Sequence, residues 1–152
     1  MLSVIAVANQ KGGVGKTTTA INTAAALAEM NRTVLLIDAD PQANMTSGLG
    51  VDRRDVQSSV YDVVVLGRPL SEAIIPTGID RVHLVPSDIA LAGSEVELAG
   101  LSRREHRLRL ALEATDLTWD YVLIDCPPSL GLLTVNAVVA AGHLLIPVQC
   151  EF

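Results

Sequence analysis

The residues best suited to chemistry form one run, Gln10-Lys11-Gly12-Gly13-Val14-Gly15-Lys16-Thr17-Thr18, set between an apolar stretch and an Ala-rich one. The glycines at 12, 13 and 15 free the backbone to turn its N–H groups inward as an anion nest. A helix beginning just after them would add the positive end of its dipole. Lys16 can then reach the β- and γ-phosphates of a nucleotide, and the Thr17 hydroxyl can ligate Mg²⁺. The ordinary pattern G-x-x-x-x-G-K-[ST] needs Gly where this chain has Gln10, so the plain form fails by one residue. A glycine-rich turn with a solvated lysine is the alternative, and the strand-loop-helix setting disfavours it. The expected nucleotide-binding residues are Lys11, Gly12, Gly13, Val14, Gly15, Lys16, Thr17 and Thr18.

Two apolar runs end in carboxylates. Val34-Leu35-Leu36-Ile37 delivers Asp38-Ala39-Asp40-Pro41-Gln42, and Tyr121-Val122-Leu123-Ile124 delivers Asp125-Cys126-Pro127-Pro128. In an open parallel sheet, ligands sit beyond the carboxyl ends of the strands, so these acids should share a rim with the glycine loop. A hydrophobic strand ending in Asp reads as a Walker B element, with Asp125 holding Mg²⁺. Asp38 and Asp40 would point to opposite faces of an extended backbone, so separate roles are expected of them. Asp40 is assigned to positioning or activating an attacking water, and Asp38 to supporting the Mg²⁺ shell and the loop. The expected metal set is thus Thr17, Asp38 and Asp125, and the catalytic set includes Lys16 and Asp40.

These residues need a scaffold. Short apolar runs predict strands at 2–8, 33–38, 82–86, 121–125 and 143–148, and Ala- and Leu-rich stretches predict helices at 16–30, 57–66, 88–99, 102–115 and 131–141. Runs that are apolar throughout mark strands buried on both faces. The expected architecture is α/β: a P-loop NTPase with a mostly parallel sheet and helices on both faces. The last strand runs into Gln149-Cys150-Glu151-Phe152 with nothing after it to cover the sheet, so the fold is expected to be incomplete on its C-terminal side.

At 152 residues the chain is long enough for one ordinary core, and 49% hydrophobic against 18% charged residues excludes disorder. Aromatics make up 3%, so the core must be Val, Leu, Ile and Ala. A formal charge of −6 argues against a surface that is wholly a nucleic-acid footprint and leaves room for a local basic patch. Cys126 and Cys150 lack metal spacing, read as buried small hydrophobes, and suit a reducing cytosol. The uncharged stretch between them is broken by Pro127, Pro128, Gly131, Gly142 and Pro147, so no membrane span is expected. The basic run Ser102 to Arg109 would place Arg103 and Arg107 on one helix face, read as solvated. His83, His106 and His143 read as structural or exposed.

Lys11, five residues before Lys16 and followed by a glycine pair, is similar to the deviant Walker A motif K-G-G-x-x-K-[ST]. Together, Asn9 to Thr19, Asp38 to Ser47, Asp125 to Gly131 and Pro147-Val148-Gln149 resemble the ParA/Soj family of chromosome and plasmid partition ATPases along essentially the whole chain. Ala43 stands where that family often has Gly. The resemblance implies ATP and Mg²⁺ as cofactors and slow hydrolysis. It also implies an ATP-dependent homodimer in which Lys11 reaches the phosphates of the partner subunit, a catalytic role in trans. It further implies a ParB-like stimulating protein and a cytoplasmic, nucleoid-associated location. Non-specific DNA binding would fall to residues beyond the chain end, since family members are longer. Residues 1–152 would be the N-terminal portion of one such domain. A MinD-like or other cargo-positioning ATPase and a non-catalytic ATP-gated switch are the rival expectations; MinD lacks the Asp-Pro-Gln run and the Cys-Pro-Pro seen here.

Overall fold

The computed structural model describes residues 2–116 and 118–150. Strands β1 (Ser3–Val7), β2 (Val34–Asp38), β3 (Ile75–Pro76), β4 (Val82–Val85), β5 (Tyr121–Asp125) and β6 (His143–Leu145) form one sheet ordered β3-β4-β2-β5-β1-β6. Every pairing is parallel except the short antiparallel β3–β4 ladder. The expected mostly parallel α/β sheet is therefore present, with β3 as an addition too short to leave a period in the sequence.

Helices α1 (Lys16–Glu29), α2 (Asn44–Gly48), α3 (Val60–Val64), α4 (Ser94–Ala99), α5 (Arg107–Glu113) and α6 (Leu132–Ala140) cover both faces. On one face, Ala20 and Ala24 of α1 and Met45 of α2 pack on Val7, Leu36, Leu84 and Leu123. Their small side chains let α1 lie close to the sheet. On the other face, Val63, Leu98, Leu108, Leu112, Leu133 and Ala137 pack on Leu35, Ile37, Val122 and Ile124. All five residues of β2 are buried, as its unbroken apolar sequence requires.

Three expectations change. The helix expected over 88–99 is a 3₁₀ turn, Ile89–Gly93, capped by Asp88 and followed by α4. The helix expected over 102–115 begins only at Arg107, and Arg103 is left-handed at φ 52°. Arg103 and Arg107 therefore do not share a helix face. The cause is Asn136 of α6: its Nδ2 donates to the Arg104 carbonyl at 2.6 Å and its Oδ1 accepts the Leu108 N–H at 3.1 Å. Those two backbone groups are the i→i+4 partners that would have continued α5, and the asparagine takes both. Third, Cys126 is buried but Cys150 is exposed. Strand β6, at the sheet edge, is followed by Ile146 and Val148 at 54% and 73% exposure, and Cys150 lies in this exposed segment.

The basic run is largely neutralised internally. Arg104 pairs with Glu105, Arg109 with Glu113, and Arg107 donates to the carbonyls of Val64 and Val65. No helix among the described residues is long and apolar enough to cross a membrane.

Asn136→Ala should lower the unfolding free energy by about 2–4 kcal/mol, because it strands the buried Leu108 N–H of α5 and removes the donor to the Arg104 carbonyl. Denaturant titration measures this, and a loss below about 0.5 kcal/mol would show that α5 extends to satisfy itself.

Candidate functional site

Parallel pairing sets the geometry. Val7 of β1 is opposite Asp125 of β5, which is opposite Asp38 of β2, so three strand ends stand level on one rim. The glycine loop leaves β1 at this rim and enters α1. Gly13 and Gly15 take φ of 72° and 85°, left-handed values that L side chains resist, so these two positions need glycine. Helix α1 has Gly15 at its N-cap, no side-chain cap and no acid in its first turn. Its leading amides are free to receive an anion from outside.

Lys16 is buried to 8% exposure, with Nζ 3.3 Å from the Lys11 carbonyl. Val14 is buried, so only its backbone faces the loop, whereas Lys11 is exposed and makes no ion pair among the described residues. A cleft of about 470 Å³ opens here, lined in part by Gly12, Gly13, Gly15, Lys16, Thr17, Thr18 and Asp40. A methyl group added at Gly12 would meet no protein atom within 4 Å, which leaves open space over the loop.

The loop is braced from outside by two amides that sequence reasoning did not single out individually. Asn9 accepts the Lys11 N–H at 2.9 Å and donates to the Pro147 carbonyl at 2.8 Å. Gln149 donates to the Gly13 carbonyl at 3.0 Å. A nest that presents N–H groups inward must turn carbonyls outward, and Gln149 supplies a donor for one of them.

The expected carboxylates converge, in different states. The Thr17 hydroxyl donates to Asp125 Oδ2 at 2.5 Å, and Asp125 Oδ1 is buried with no hydrogen-bond partner among the described residues. Burial raises the Asp125 pKa to about 7; the Thr17 bond opposes the shift, and Asp38 and Asp40 add to it. Asp38 is fully buried, and burial raises its pKa to about 6 against the hydrogen bonds from Thr46 and Asp40. Both Asp38 oxygens are engaged: Oδ1 by the Asp40 N–H at 3.2 Å, Oδ2 by Thr46. Of the two roles expected of Asp38, these contacts supply the loop-holding one. Asp40 lines the cleft, which Asp38 does not, and accepts the Gln42 N–H at 2.9 Å. Burial pushes the Cys126 thiol up to about 12, which leaves it without nucleophilic character.

Among the described residues, no group of three His, Cys, Asp or Glu side chains could hold a metal alone. Mg²⁺ is a hard ion usually held by one or two protein oxygens together with phosphate and water. The orphaned Asp125 Oδ1 beside the Thr17 hydroxyl fits such an ion. A larger cleft of about 650 Å³, between the segment after α3 and α5, holds Arg68 and Arg107 over an apolar floor. It contains none of the chemistry gathered at the rim.

The two raised carboxyls have a linked consequence. The folded state holds their protons more tightly than the unfolded chain does, so their contribution to stability is complete below about pH 4 and is lost as pH rises through about 6 to 7. Without nucleotide or Mg²⁺, the melting temperature should fall between about pH 5 and about pH 8, and Asp125→Asn should flatten the decline. Equal slopes in both proteins would refute this.

Known proteins agree with the geometry. A family model described as an AAA domain matches residues 2–152. The sporulation initiation inhibitor protein Soj of Bacillus subtilis is 51% identical over 152 residues, covering 100% of this chain and 60% of Soj. The chromosome partitioning protein ParA of Myxococcus xanthus is 50% identical over 149 residues, covering 98% of this chain and 53% of ParA. A cobyrinic acid a,c-diamide synthase from Mycobacterium smegmatis, solved with a bound ATP analogue and magnesium, superposes with a TM-score of 0.95 at 45% identity. The match covers 100% of this chain and 62% of that one. The chain thus spans little more than half the length of these relatives. It belongs to the AAA domain family, and within it is similar along its whole length to Soj and to the chromosome partitioning proteins named ParA.

Proposed function

We propose that this chain carries the phosphate- and magnesium-binding part of a ParA-type ATPase that binds Mg·ATP, dimerises around the nucleotide and hydrolyses ATP slowly. One observation carries the reading. A glycine loop with a buried lysine stands against a buried carboxylate, Asp125, that is bonded to Thr17 and has a second oxygen without a partner among the described residues, while Asp40 lines the cleft onto which the loop opens.

Phosphoryl transfer asks a protein for positioning and charge neutralisation more than covalent chemistry. The amides of residues 12–18 and the Lys16 ammonium hold the phosphates. Thr17 and Asp125 would hold Mg²⁺, and Asp38 would support that shell through the loop. The chemistry Mg²⁺ would supply there is partial neutralisation of the phosphate charge. Asp40, at the cleft wall, orients the attacking water by accepting one of its hydrogens. Lys11 is exposed at the mouth of the loop, and its proposed task is to add positive charge to nucleotide held by the partner subunit.

By likeness to ParA and Soj, the ATP-bound dimer would serve chromosome or plasmid segregation, answer to a ParB-like stimulating protein, and act in the cytoplasm on the nucleoid. Contact with DNA is proposed for the part of the longer relatives that this chain does not span. The synthase name of the solved neighbour makes the acceptor a point to test, so hydrolysis is to be measured with water as the sole acceptor.

Nucleotide titration should show at least about tenfold weaker ATP binding in Lys16→Ala, the loss expected for one charged hydrogen bond. Unchanged binding would remove the loop assignment. In single-turnover assays, Asp40→Ala should bind ATP yet lose about 100-fold in rate, the scale of a positioned general base. If wild type and Asp40→Ala both bind ATP and neither hydrolyses it, a nucleotide-gated switch replaces the enzyme reading. Lys11→Ala should weaken ATP-dependent dimerisation in sedimentation while monomeric binding persists; unaltered dimers would refute the trans role.

A further inference from the structure

The loop that carries Asp40 is fastened at its far end by Thr46, in α2. The Thr46 hydroxyl donates to Asp38 Oδ2 at 2.6 Å, and its backbone N–H donates to the same oxygen at 2.8 Å. The hydroxyl oxygen in turn accepts the Ser87 N–H at 3.0 Å. Asp38, Thr46 and Ser87 are all at 0% exposure, so water cannot replace any of these bonds. The other Asp38 oxygen accepts the Asp40 N–H at 3.2 Å.

The polarity of this relay is determined. A carboxylate only accepts and a backbone N–H only donates, so the one group able to stand between them is a hydroxyl that does both. A valine has the shape of threonine and can do neither. Because Asp38 grips Asp40 through one oxygen and Thr46 through the other, any rotation of its carboxyl moves both ends of the loop. At the far end, Ser87 follows Pro86, whose carbonyl accepts the Val60 N–H of α3 at 2.9 Å.

We propose that Thr46 is a positioning residue that holds Asp40 at the phosphate cleft, through the Asp38 carboxylate, and ties that loop to the corner between β4 and α3. Its effect on turnover rests on the hydrolytic reading above; its effect on the loop does not. Asp40 itself touches the reacting atoms under that reading, whereas Thr46 acts only through its neighbours.

Three variants of this chain and two measurements test this. In nucleotide-free protein, amide hydrogen exchange at Asp40 and Ser87 should quicken at least about tenfold in Thr46→Val, with Leu123 of β5 unchanged and Thr46→Ser close to wild type. In Mg·ATP turnover, Thr46→Val should lower kcat about tenfold with KM within about twofold, and Thr46→Ser should restore it. Thr46→Cys keeps the site filled with a weak donor, and should move both measurements the same way should the valine chain fail to fold. Unchanged exchange at Asp40 in Thr46→Val or Thr46→Cys overturns the proposal. So does a matching kcat loss in Thr46→Ser, which would mean that volume rather than the hydroxyl matters. Absent wild-type turnover would instead remove the hydrolytic reading, and exchange at Asp40 would still decide the positioning role.

Discussion

Everything at the rim depends on the in-register parallel pairing of β1, β5 and β2. Because Val7, Asp125 and Asp38 are mutual neighbours across the ladder, the glycine loop and two acid-bearing loops leave the sheet at one level. Antiparallel pairing would send alternate strand ends to opposite edges and scatter these groups. Burial then makes the arrangement tense. Three carboxylates share a dry rim with one buried ammonium, and two of the three hold their protons well above the ordinary range. Buried charge of one sign calls for compensation, and the divalent cation proposed beside Asp125 would supply it.

The same logic explains why α1 begins where local propensity is poor. Lys16 places a cation at the positive end of the helix dipole, three threonines follow, and no side chain caps the first turn. Each choice disfavours a helix start. The helix persists because Ala20 and Ala24 seat it against the sheet and because Asn9 and Gln149 brace the loop before it. Local stability is given up where an anion would restore it. The brace also joins the loop to the segment after β6, so movement at either would reach the other.

Much of this was legible in residue types and spacing. The glycine loop, the two strand-end acids and the five principal strands were each visible because the pattern is local: a run, a period or a fixed offset. What was missed involves partners far apart in the chain. Asn136 shortens α5 by capturing groups 28 and 32 residues away. Thr46 gains its task from Ser87, 41 residues on. Helix α2, five residues long, is too short to show a period, and it starts from Ala43 in a left-handed conformation that glycine would take at lower cost.

The sequence alone determined the chemistry on offer: a phosphate loop with an additional lysine, acids at strand ends, an aliphatic core and no metal-ligating cysteines. Only the tertiary structure decided what surrounds each acid. Asp38, Asp40 and Asp125 look alike in sequence, each close to an apolar strand end, and a side chain's protonation and free valence depend on what surrounds it in space. Folding surrounded Asp38 with donors, turned Asp40 into the cleft, and left Asp125 with one oxygen unpartnered. Burial and long-range hydrogen bonding are properties of packing, and no spacing in a one-dimensional chain encodes them directly.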